Sequence, residues 1–591
     1  MLRPLRQAAL GLLLVASVAG CVSMPNGGPV QSYPVTQGPG GKSQPYNLQI
    51  IAQPPVNGWS PQQVVQGFLA ASASFGDELK TAREYLTTSG LRGWQDPAWS
   101  ACVFSGAPGV GSPVYSATGP KDTAQVTVNG NVQASLNGGN GGYAVPTSPT
   151  CVSPFPFSLV KVNGQWRISS APSQLLLTSD AFQRDYQPRN LYFFDPAKRT
   201  LVPDPVYVPL QATQTDLLNE LVDDLIRPPA DWLTSRATVT AFPAGTTRVG
   251  DVTLTGGTAA VNLGGAIAKA TVPVRQRVSA QLVWTLSGSG QGGSPVQSVE
   301  LYVDGKAWIP PGTTPQSPVQ NAASVSYNPA LGASSVFYYL DGAYLIKRDG
   351  TGGKPVPVAR VGTGYSQIAV SPDGKYVAAL RNGMLFSGPI RGPLTKRAGT
   401  GYLTISWDDH DNVWATTNAA ILMLHGSAGP GQQPVAVDVR NPGGSVNPGP
   451  FSALQVAPDG VRVAVIVGGF QLNFGAIVFP QGAGASQQAV KIELSPFYVE
   501  GPGNPAFQTV SWYGPDNVIT LSTPGPVLTE YPVNGGSSTS ISTQANIESI
   551  TASSGNALIA GVAKDAMMAD SSLTGAWTDI IGTGGSPAYP G

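Results

Sequence analysis

The residues of this 591-residue chain with the clearest potential for chemistry are its three cysteines. The first of them, Cys21, ends the tetrapeptide Val-Ala-Gly-Cys, in which small residues directly precede a cysteine. This tetrapeptide has the form of a bacterial lipobox, a motif whose cysteine thiol is acylated before the leader is removed. We therefore predict lipidation of Cys21 and signal cleavage between Gly20 and Cys21. An ordinary secretory signal with a chance cysteine is the alternative.

The residues before the lipobox have the composition of a signal peptide. Arg3 and Arg6 give a positive start, and an apolar run follows that ends at Val18. About a dozen apolar residues are too few to cross a bilayer core of ~30 Å. We predict a signal peptide over residues 1–20 and a flexible lipidated tether over 21–46, which is rich in Gly, Pro, Ser and Gln. The protein is then expected at the cell membrane, lipid-anchored on its extracytoplasmic face.

Cys102 and Cys151 remain once the lipobox cysteine is modified. Two cysteines in an oxidising compartment most simply form a disulfide. The alternative, a redox-active pair, would normally have two residues between its cysteines, a spacing that is absent here. We predict a structural Cys102–Cys151 bridge, which closes a loop of about 50 residues and contributes ~4 kcal/mol in the chain-entropy account.

Imidazole for general-base catalysis is available only from His410 and His425. The stretch from His425 to Ser427 lacks the first glycine of the serine elbow motif and lies in a predicted glycine-rich loop. Acidic residues flank His410, and oxygen ligands suit calcium, but the run 408–411 lacks the alternate-residue spacing of a calcium loop. We predict no catalytic residue, no metal and no cofactor. A weak calcium site at 408–411 is the alternative.

The composition favours a mainly β protein of several domains. Gly and Pro number 72 and 54, and charged residues make up 11% of the chain, under half of the usual ~25%. A chain of this length is expected to contain about three to four domains. The formal net charge is zero. We therefore expect no nucleic acid partner, because such binding needs an excess of basic residues to release counterions.

The first folded block is predicted over residues 47–185. Ser60 and Gln63 form a capping box that starts a helix, and a second helix is predicted over Asp77–Leu86. The dipeptide Asn163-Gly164 predicts a hairpin turn. Helices followed by a strand meander resemble the α+β NTF2-like fold, a cone that often contains a pocket. The predicted strands are Ala124–Val128, Asn131–Leu136, Phe155–Val162 and one that begins at Gln165.

The second block is predicted over residues 186–315. Its clearest element is a helix with one apolar face, Leu217–Ile226, which ends before two prolines. Together with a Tyr-Phe opening, this helix and the motifs at Phe242–Thr246 and Ala260–Leu263 resemble the α+β GerMN domain. Asn262 stands where the last motif usually has an acidic residue, which puts a role for a carboxylate there in doubt. The predicted strands are Thr238–Ala241, Val249–Leu254 and Ala259–Leu263.

The third block, predicted over residues 316–591, repeats one motif. A strand, a tight turn such as Ser-Pro-Asp-Gly at 371–374 and a second strand recur in five units, about 40 to 55 residues apart. This repeat is typical of β-propeller blades, with a β-sandwich as the alternative. We predict five to seven blades, with a degenerate extra unit at Val325–Pro329. Trp407 and Trp512 occupy equivalent positions, which favours core packing over exposed anchors for a partner.

The lipobox, the NTF2-like block, the GerMN-like block and the propeller, in this order, resemble the LpqB lipoproteins of actinobacteria over essentially the whole chain. The resemblance implies a protein that binds the extracytoplasmic domain of an MtrB-like sensor kinase. It implies an influence on the MtrA–MtrB two-component system, and through it on cell-wall homeostasis and division. With no catalytic set in view, we predict that the protein is not an enzyme.

Two other functions are compatible with these domain types. The first is an extracytoplasmic ligand-binding protein, with the cone or the propeller channel occupied by a cell-wall fragment or a small molecule. The second is a cell-wall hydrolase, which would need a pair of carboxylates in a cleft. No spacing in the sequence indicates such a pair.

Overall fold

A computed structural model gives the fold of the chain after the predicted tether. The described residues form one compact unit, and strands dominate it, so the predicted mainly β, multi-domain class is confirmed. The predicted signal peptide and tether lie outside the described residues. These residues are 52–591 apart from 74–78, 95–99, 116–121, 137–142, 145–150, 210–212, 234–235, 288–294, 317, 331, 427–431, 481–489, 502–505, 544–545 and 564–565.

The N-terminal domain packs short helices against two sheets. One sheet has the order β6-β5-β1-β9, and the other has the order β2-β4-β7-β8 with β3 paired to β4. The helices are α1 (Pro61–Ser72), α2 (Lys80–Arg83), α3 (Thr88–Gly93) and α4 (Ser179–Asp185). The strands are β1 (Ala101–Phe104), β2 (Gly109–Val110), β3 (Val114–Tyr115), β4 (Thr123–Asn129), β5 (Val132–Leu136), β6 (Tyr143–Ala144), β7 (Phe155–Val162), β8 (Gln165–Ser170) and β9 (Leu175–Thr178).

Local sequence patterns account for several of these elements. Ser60 caps α1 in a complete capping box with Gln63, and Asn163 and Gly164 turn β7 into β8 with positive φ at both residues. The predicted helix over Asp77–Leu86 is shorter than expected. Leu79, with φ of 62°, precedes α2 in a left-handed conformation, and Leu86 leaves the helix to form a β-bridge with Ile168.

The middle domain combines a long ribbon, two helices and a sheet. The ribbon pairs β10 with β11 over nine residues, and the sheet has the order β12-β14-β15-β16 with β13 paired to β14. The helices are α5 (Gln214–Ile226) and α6 (Val272–Leu286). The strands are β10 (Tyr186–Phe194), β11 (Leu201–Pro209), β12 (Thr246–Arg248), β13 (Thr253–Thr255), β14 (Thr258–Gly265), β15 (Ser298–Val303) and β16 (Lys306–Ala307).

Two expectations for the middle domain are corrected. The strand predicted at Thr238–Ala241 is reduced to one bridge between Val239 and Phe194. Of the one predicted at Val249–Leu254, only the last two residues are in a strand, β13. Helix α6 was not predicted from the sequence. Its C-terminal half is buried on all sides, polar residues included, so no alternation of polar and apolar faces marks it.

The C-terminal domain is a propeller of six blades in the part of the chain that the structure describes. The last strand, β41, pairs with β17 of the first blade and so joins the two ends of the domain. The first three blades are β17 (Val336–Asp341), β18 (Tyr344–Asp349) and β19 (Val356–Arg360); β20 (Gln367–Val370), β21 (Tyr376–Arg381), β22 (Met384–Pro389) and β23 (Thr395–Lys396); β24 (Thr404–Trp407), β25 (Asn412–Thr416), β26 (Ile421–His425) and β27 (Val435–Ala436).

The remaining strands complete the ring. Blade 4 carries a fifth strand, β28, parallel to β32 at its edge. The strands are β28 (Asp438–Arg440), β29 (Phe451–Val456), β30 (Arg462–Val467), β31 (Gln471–Val478) and β32 (Lys491–Glu500) in blade 4; β33 (Ala506–Tyr513), β34 (Asn517–Thr523), β35 (Val527–Pro532) and β36 (Thr539–Ile541) in blade 5; β37 (Ile547–Thr551), β38 (Leu558–Val562), β39 (Ala566–Asp570) and β40 (Thr578–Ile581) in blade 6; and β41 (Gly585–Ala588), the fourth strand of blade 1.

The extra repeat unit begins later than predicted. Blade 1 starts at Val336, whereas Val325 and Tyr327 belong to the core of the middle domain. The ring of Tyr327 lies edge-on to that of Phe194 at 5.3 Å between centroids. The apolar character of this segment therefore serves the middle domain and not a blade.

Trp407 and Trp512 pack in the propeller core, as predicted. They are 1% and 4% exposed. The indole N–H of Trp407 donates to the carbonyl of Ala369, and that of Trp512 donates to the carbonyl of Gln455, at 2.9 and 3.1 Å. The two tryptophans thus join β24 to β20 and β33 to β29, each across two neighbouring blades.

Candidate functional site

The predicted site residues at the N-terminus, Gly20 and Cys21, lie outside the described residues. The predicted disulfide is present. Cys102 on β1 and Cys151 ahead of β7 are buried, with 2.04 Å between their sulfur atoms. The bridge fastens one sheet of the N-terminal domain to the segment that enters the other. Among the described helices, none is long and apolar enough to cross a membrane.

The acidic run at 408–411 is a structural turn of blade 3. The Asp408 carboxylate accepts hydrogen bonds from the backbone N–H groups of His410 and Asn412, from the Asn412 side chain and from the Trp414 indole, at 2.8 to 2.9 Å. Burial raises the pKa of Asp408, although these hydrogen bonds oppose the shift. Within the described ranges, no group of three or more His, Cys, Asp or Glu side chains could bind a metal ion.

His410 connects the propeller to the middle domain. Its Nε2 lies 2.9 Å from a guanidinium nitrogen of Arg199, in the turn between β10 and β11. Its Nδ1 lies 2.5 Å from Oδ1 of Asp409, which raises the pKa of His410. The second histidine, His425, ends β26, and Ser427 beside it lies outside the described residues. His410 therefore belongs to a contact between domains.

All three domains meet around a cavity of about 720 Å³, which we call the seam cavity. Helix α4 and strands β10 and β11 form one side, and β34, β35 and the loop 533–538 of blade 5 form the other. Tyr207 donates its hydroxyl hydrogen to the carbonyl of Gly535 at 2.7 Å, and the Gln183 amide donates to the Ser537 hydroxyl at 2.7 Å. These two hydrogen bonds fix the blade 5 loop against the other domains.

The loop reaches this position because it contains Gly536. Its φ is +115°, a region that disfavours residues with a side chain. A Cβ atom placed at this position would lie 2.2 Å from the Tyr207 hydroxyl oxygen. The close approach of loop and β11 therefore requires glycine.

Two carboxylates, Asp516 and Glu530, line the seam cavity. Both are half-buried, and burial together with the charge of Asp516 raises the pKa of Glu530. Asp516 accepts a hydrogen bond from the Asn190 amide at 3.3 Å. None of the described residues around the cavity is Lys, Arg or His. The cavity thus carries negative charge without a basic partner in its described lining.

Aromatic rings and amides complete the wall. Phe182 stacks on Tyr186 at 4.7 Å and meets Tyr207 edge-on at 5.0 Å between ring centroids. Asn534 is 7% exposed, and its side-chain nitrogen has no hydrogen-bond partner among the described residues. A buried amide N–H without an acceptor is costly, so this position has an unused capacity to donate.

A second cavity, of about 280 Å³, lies in the propeller channel. Strands β20, β24, β29, β33 and β37 line it with Ser, Thr and Gln residues among apolar ones, and Glu548 is the carboxylate among its described lining residues. The chain end contributes to the same wall through Tyr589 and Gly591.

The three domains match three family models in the order observed. Residues 54–183 match the N-terminal domain of lipoprotein LpqB, and residues 344–590 match the LpqB β-propeller domain. Between them, residues 190–308 match the Germane family, described as sporulation and spore germination. A lipoprotein LpqB from Thermobifida fusca is 29% identical, and the alignment covers 98% of this chain and 97% of that protein.

The chain belongs to the LpqB lipoprotein family. Proteins of the same name from Streptomyces avermitilis and Mycolicibacterium smegmatis are 27% and 28% identical. The first alignment covers 97% of this chain and 96% of that protein, and the second covers 77% of each. The similarity therefore extends across actinobacterial relatives that are themselves named lipoproteins.

In this member of the LpqB family, Asn262 has a structural role in the Germane domain. Its side-chain oxygen accepts a hydrogen bond from the backbone N–H of Gly305 at 3.0 Å. The contact stabilises the turn between β15 and β16, where Asp304 and Gly305 have positive φ. An amide oxygen at position 262 is sufficient for this contact.

The sequence did not reveal the seam cavity of this LpqB-family protein. Its walls come from segments separated by more than three hundred residues, as in the contact of Gln183 with Ser537. The one local indication is the Asn-Gly-Gly stretch at 534–536, where polar residues and glycine follow a strand. That pattern predicts a loop but gives no information about which surface the loop meets.

Proposed function

We propose that the protein is a membrane-anchored extracytoplasmic accessory protein that binds the outer domain of an MtrB-like sensor kinase and modulates its signalling. Through that system it would affect cell-wall homeostasis and division. The observation that carries the proposal is the continuous packing of the three domains, since a single body can transmit a contact at one domain to the others. The role is that of a binding partner and involves no catalysis.

The packing between middle domain and propeller is apolar as well as polar. Val202, Leu233 and Ala237 share a buried cluster with side chains of blade 4. Arg199 reaches His410 of blade 3, and Asn190 reaches Asp516 of blade 5. Interfaces with a buried apolar centre restrict relative domain motion. This packing supports a rigid accessory protein and argues against domains that move independently.

A lipid at Cys21 would add to the strength of such binding. Confinement of both partners to one membrane raises their effective concentration, so that a weak surface contact becomes sufficient. The accessory role therefore rests on the predicted anchor as well as on the fold.

The test is binding of the full mature chain, made soluble by Cys21→Ser, to the immobilised extracytoplasmic domain of the kinase. We expect saturable binding by biolayer interferometry. An unrelated lipoprotein of similar size, also without its lipid, serves as the control. Equal responses from the two proteins would contradict the accessory role.

A second candidate function is recognition of a cell-wall fragment or a small molecule. The seam cavity favours it, because ligand sites of this size often lie where domains meet and combine aromatic walls with a few polar groups. Thermal stabilisation of the mature chain by purified peptidoglycan fragments tests this candidate. An unchanged unfolding temperature with every fragment would count against it.

A further inference from the structure

We propose that the seam cavity binds a small hydroxylated ligand that carries a primary ammonium group, such as an amino sugar. The inference rests on the second candidate function and specifies its ligand class. Three properties of the cavity carry it: uncompensated carboxylates, an unpaired buried donor with neighbouring hydroxyl groups, and an aromatic wall.

The two carboxylates of the seam cavity favour a ligand with a positive charge. Asp516 and Glu530 share one half-buried cavity, and the described lining supplies no basic side chain to balance them. Charges that are partly removed from water are stabilised by an opposite charge with hydrogen bonds, and an ammonium group offers both. Glu530 makes no ion pair among the described residues, so its oxygens are available to such a group.

Two arginines lie near Asp516: Arg462 donates to the carbonyl of the preceding residue, Pro515, and Arg189 lines an adjoining pocket together with Asp516. Arg462 is paired with Asp459 at 2.8 Å. Arg189 donates to the Gln187 side chain and to the carbonyl of Pro188, at 2.6 and 3.0 Å. Their guanidinium groups therefore do not take the place of a ligand cation at Glu530.

The hydroxyl requirement comes from the loop of blade 5. The Asn534 side-chain nitrogen lacks an acceptor, and Ser538 and Thr539 contribute further polar side chains to the same lining. A ligand hydroxyl can accept from an amide N–H and donate to a hydroxyl oxygen. A simple alkyl amine offers none of these oxygens, so an amino sugar fits the described lining better.

The aromatic wall and the size fit the same class of ligand. Phe182, Tyr186 and Tyr207 line the same cavity as the two carboxylates, and an ammonium group near aromatic rings is stabilised by about 0.5–2 kcal/mol. A volume of about 720 Å³ lies in the range of sites for ligands of drug or disaccharide size.

The experiment compares disaccharides that share a scaffold and differ in charge. The full mature chain is titrated calorimetrically at mildly acidic pH with chitobiose, with N,N′-diacetylchitobiose and with cellobiose. We expect chitobiose to bind at least about tenfold more tightly than the other two, since only its amines are protonated. Spermidine, charged but without hydroxyl groups, is expected to bind more weakly than chitobiose. Equal affinities for chitobiose and cellobiose, or tighter binding of spermidine, would overturn the inference.

Variants assign the binding to this cavity. Glu530→Gln keeps the size of the side chain, removes the charge and is expected to weaken chitobiose binding about tenfold. Asp516→Asn gives a second, independent reading should the first variant unfold. The matched control is Glu548→Gln, which neutralises the carboxylate of the propeller channel and should leave the affinity unchanged. Unchanged affinity in both seam variants, or a loss only in Glu548→Gln, would refute the assignment.

Failure of this inference can be told apart from failure of the ligand-binding function. Cellobiose or diacetylchitobiose bound as tightly as chitobiose would leave a ligand site in place but exclude an ammonium ligand. Stabilisation by peptidoglycan fragments that is equal in the wild type and in Glu530→Gln would preserve the function and move its site elsewhere. Either result overturns the amino-sugar assignment.

Discussion

Buried carboxylates stabilise contacts between neighbouring chain segments at two positions in this protein. Asp408 gathers four donors in the turn of blade 3, and Asp204 on β11 accepts a hydrogen bond from the backbone N–H of Ala230 at 2.7 Å. Carboxylates are rarely buried unless paired or hydrogen-bonded. At these positions the carboxylates accept hydrogen bonds from N–H groups of neighbouring segments. An apolar side chain could not accept these hydrogen bonds and would leave the N–H groups unpaired.

Replacement of Asp408 tests how much one such hydrogen-bonded carboxylate contributes to the free energy of unfolding. Asp408→Ala leaves buried N–H groups without acceptors, and we expect a loss of about 3 kcal/mol in the free energy of unfolding. Urea unfolding of the mature chain measures the change. The control is Asp341→Ala at the exposed turn of blade 1, which should change the stability by less than about 0.5 kcal/mol. Similar losses in the two variants would show that Asp408 is an ordinary turn residue.

Asp204 predicts a pH dependence of stability. Burial raises its pKa to about 7, while the Ala230 N–H and the charge of Arg462 act in the opposite direction. The folded protein therefore keeps this proton more tightly than the unfolded chain, whose pKa is ~3.9. The resulting stabilisation is complete below that value and is lost as the pH rises through about 7.

Asp204→Asn should remove this part of the pH dependence. Between pH ~4 and pH ~7, we expect the free energy of unfolding of the wild type to fall by roughly 2–4 kcal/mol relative to the variant. Denaturant unfolding over a pH series measures the difference, and the exposed Asp349→Asn serves as the control. A variant with the pH profile of the wild type would rule out Asp204 as the source.

At the scale of elements, two features join the domains and close the ring. The loop 533–538 of blade 5 docks on α4 and β11 through side chains. Strand β41 pairs with β17, and Tyr589 beyond it donates its backbone N–H to Thr551 and its hydroxyl hydrogen to Ala557, both at 2.9 Å. Docking of the loop depends on Gly536, and closure of the ring depends on β41 and Tyr589.

Substitutions at two glycines of blade 5 distinguish the cost of backbone strain from the cost of a lost contact between domains. Gly525 and Gly536 both have positive φ, but a Cβ at Gly525 meets open space, whereas one at Gly536 meets Tyr207. Gly525→Ala should cost about 1 kcal/mol from backbone strain alone. We expect Gly536→Ala to cost at least about twice as much and to speed hydrogen exchange in the loop 533–538. Equal costs and equal exchange would show that the loop does not dock tightly.

At the scale of the whole molecule, three domains form one unit and one terminus is predicted to be tied to a membrane. The packing at Arg199, Tyr207 and Leu233 makes the orientation of the domains a property of the fold. A partner would then meet a fixed surface, and the tether would determine how far that surface lies from the bilayer. Anchoring and domain packing are therefore separate contributions to the proposed accessory role.

Cys21→Ser separates these contributions. We expect the variant to move from the membrane fraction to the soluble fraction with an unchanged unfolding temperature, since Cys21 precedes the folded domains. Gly20→Ala keeps a small residue before the cysteine and should remain in the membrane fraction. Fractionation of cells followed by immunoblotting measures both. Retention of Cys21→Ser in the membrane fraction would contradict lipid anchoring.

Features specified by neighbouring residues could be predicted from the sequence. The capping box at Ser60, the turn at Asn163 and the blade repeat all follow from short-range patterns of turn residues and alternating apolar side chains. The disulfide followed from the cysteine count, since the predicted lipidation of Cys21 leaves one pair. Backbone geometry and hydrogen bonding over a few residues determine these elements, so the printed order of the residues is sufficient.

Tertiary structure alone decided the rest. Closure of the ring by β41, burial of the C-terminal half of helix α6 and the seam cavity depend on contacts between residues far apart in the chain, such as Tyr207 and Gly535. No short-range sequence pattern indicates such contacts, because the pattern of polar and apolar residues in a strand or loop reflects that element alone and not the distant surface it meets. The sequence by itself determined the family and those elements that short-range patterns mark, whereas the packing of distant surfaces determined where carboxylates, rings and the unpaired Asn534 amide come together.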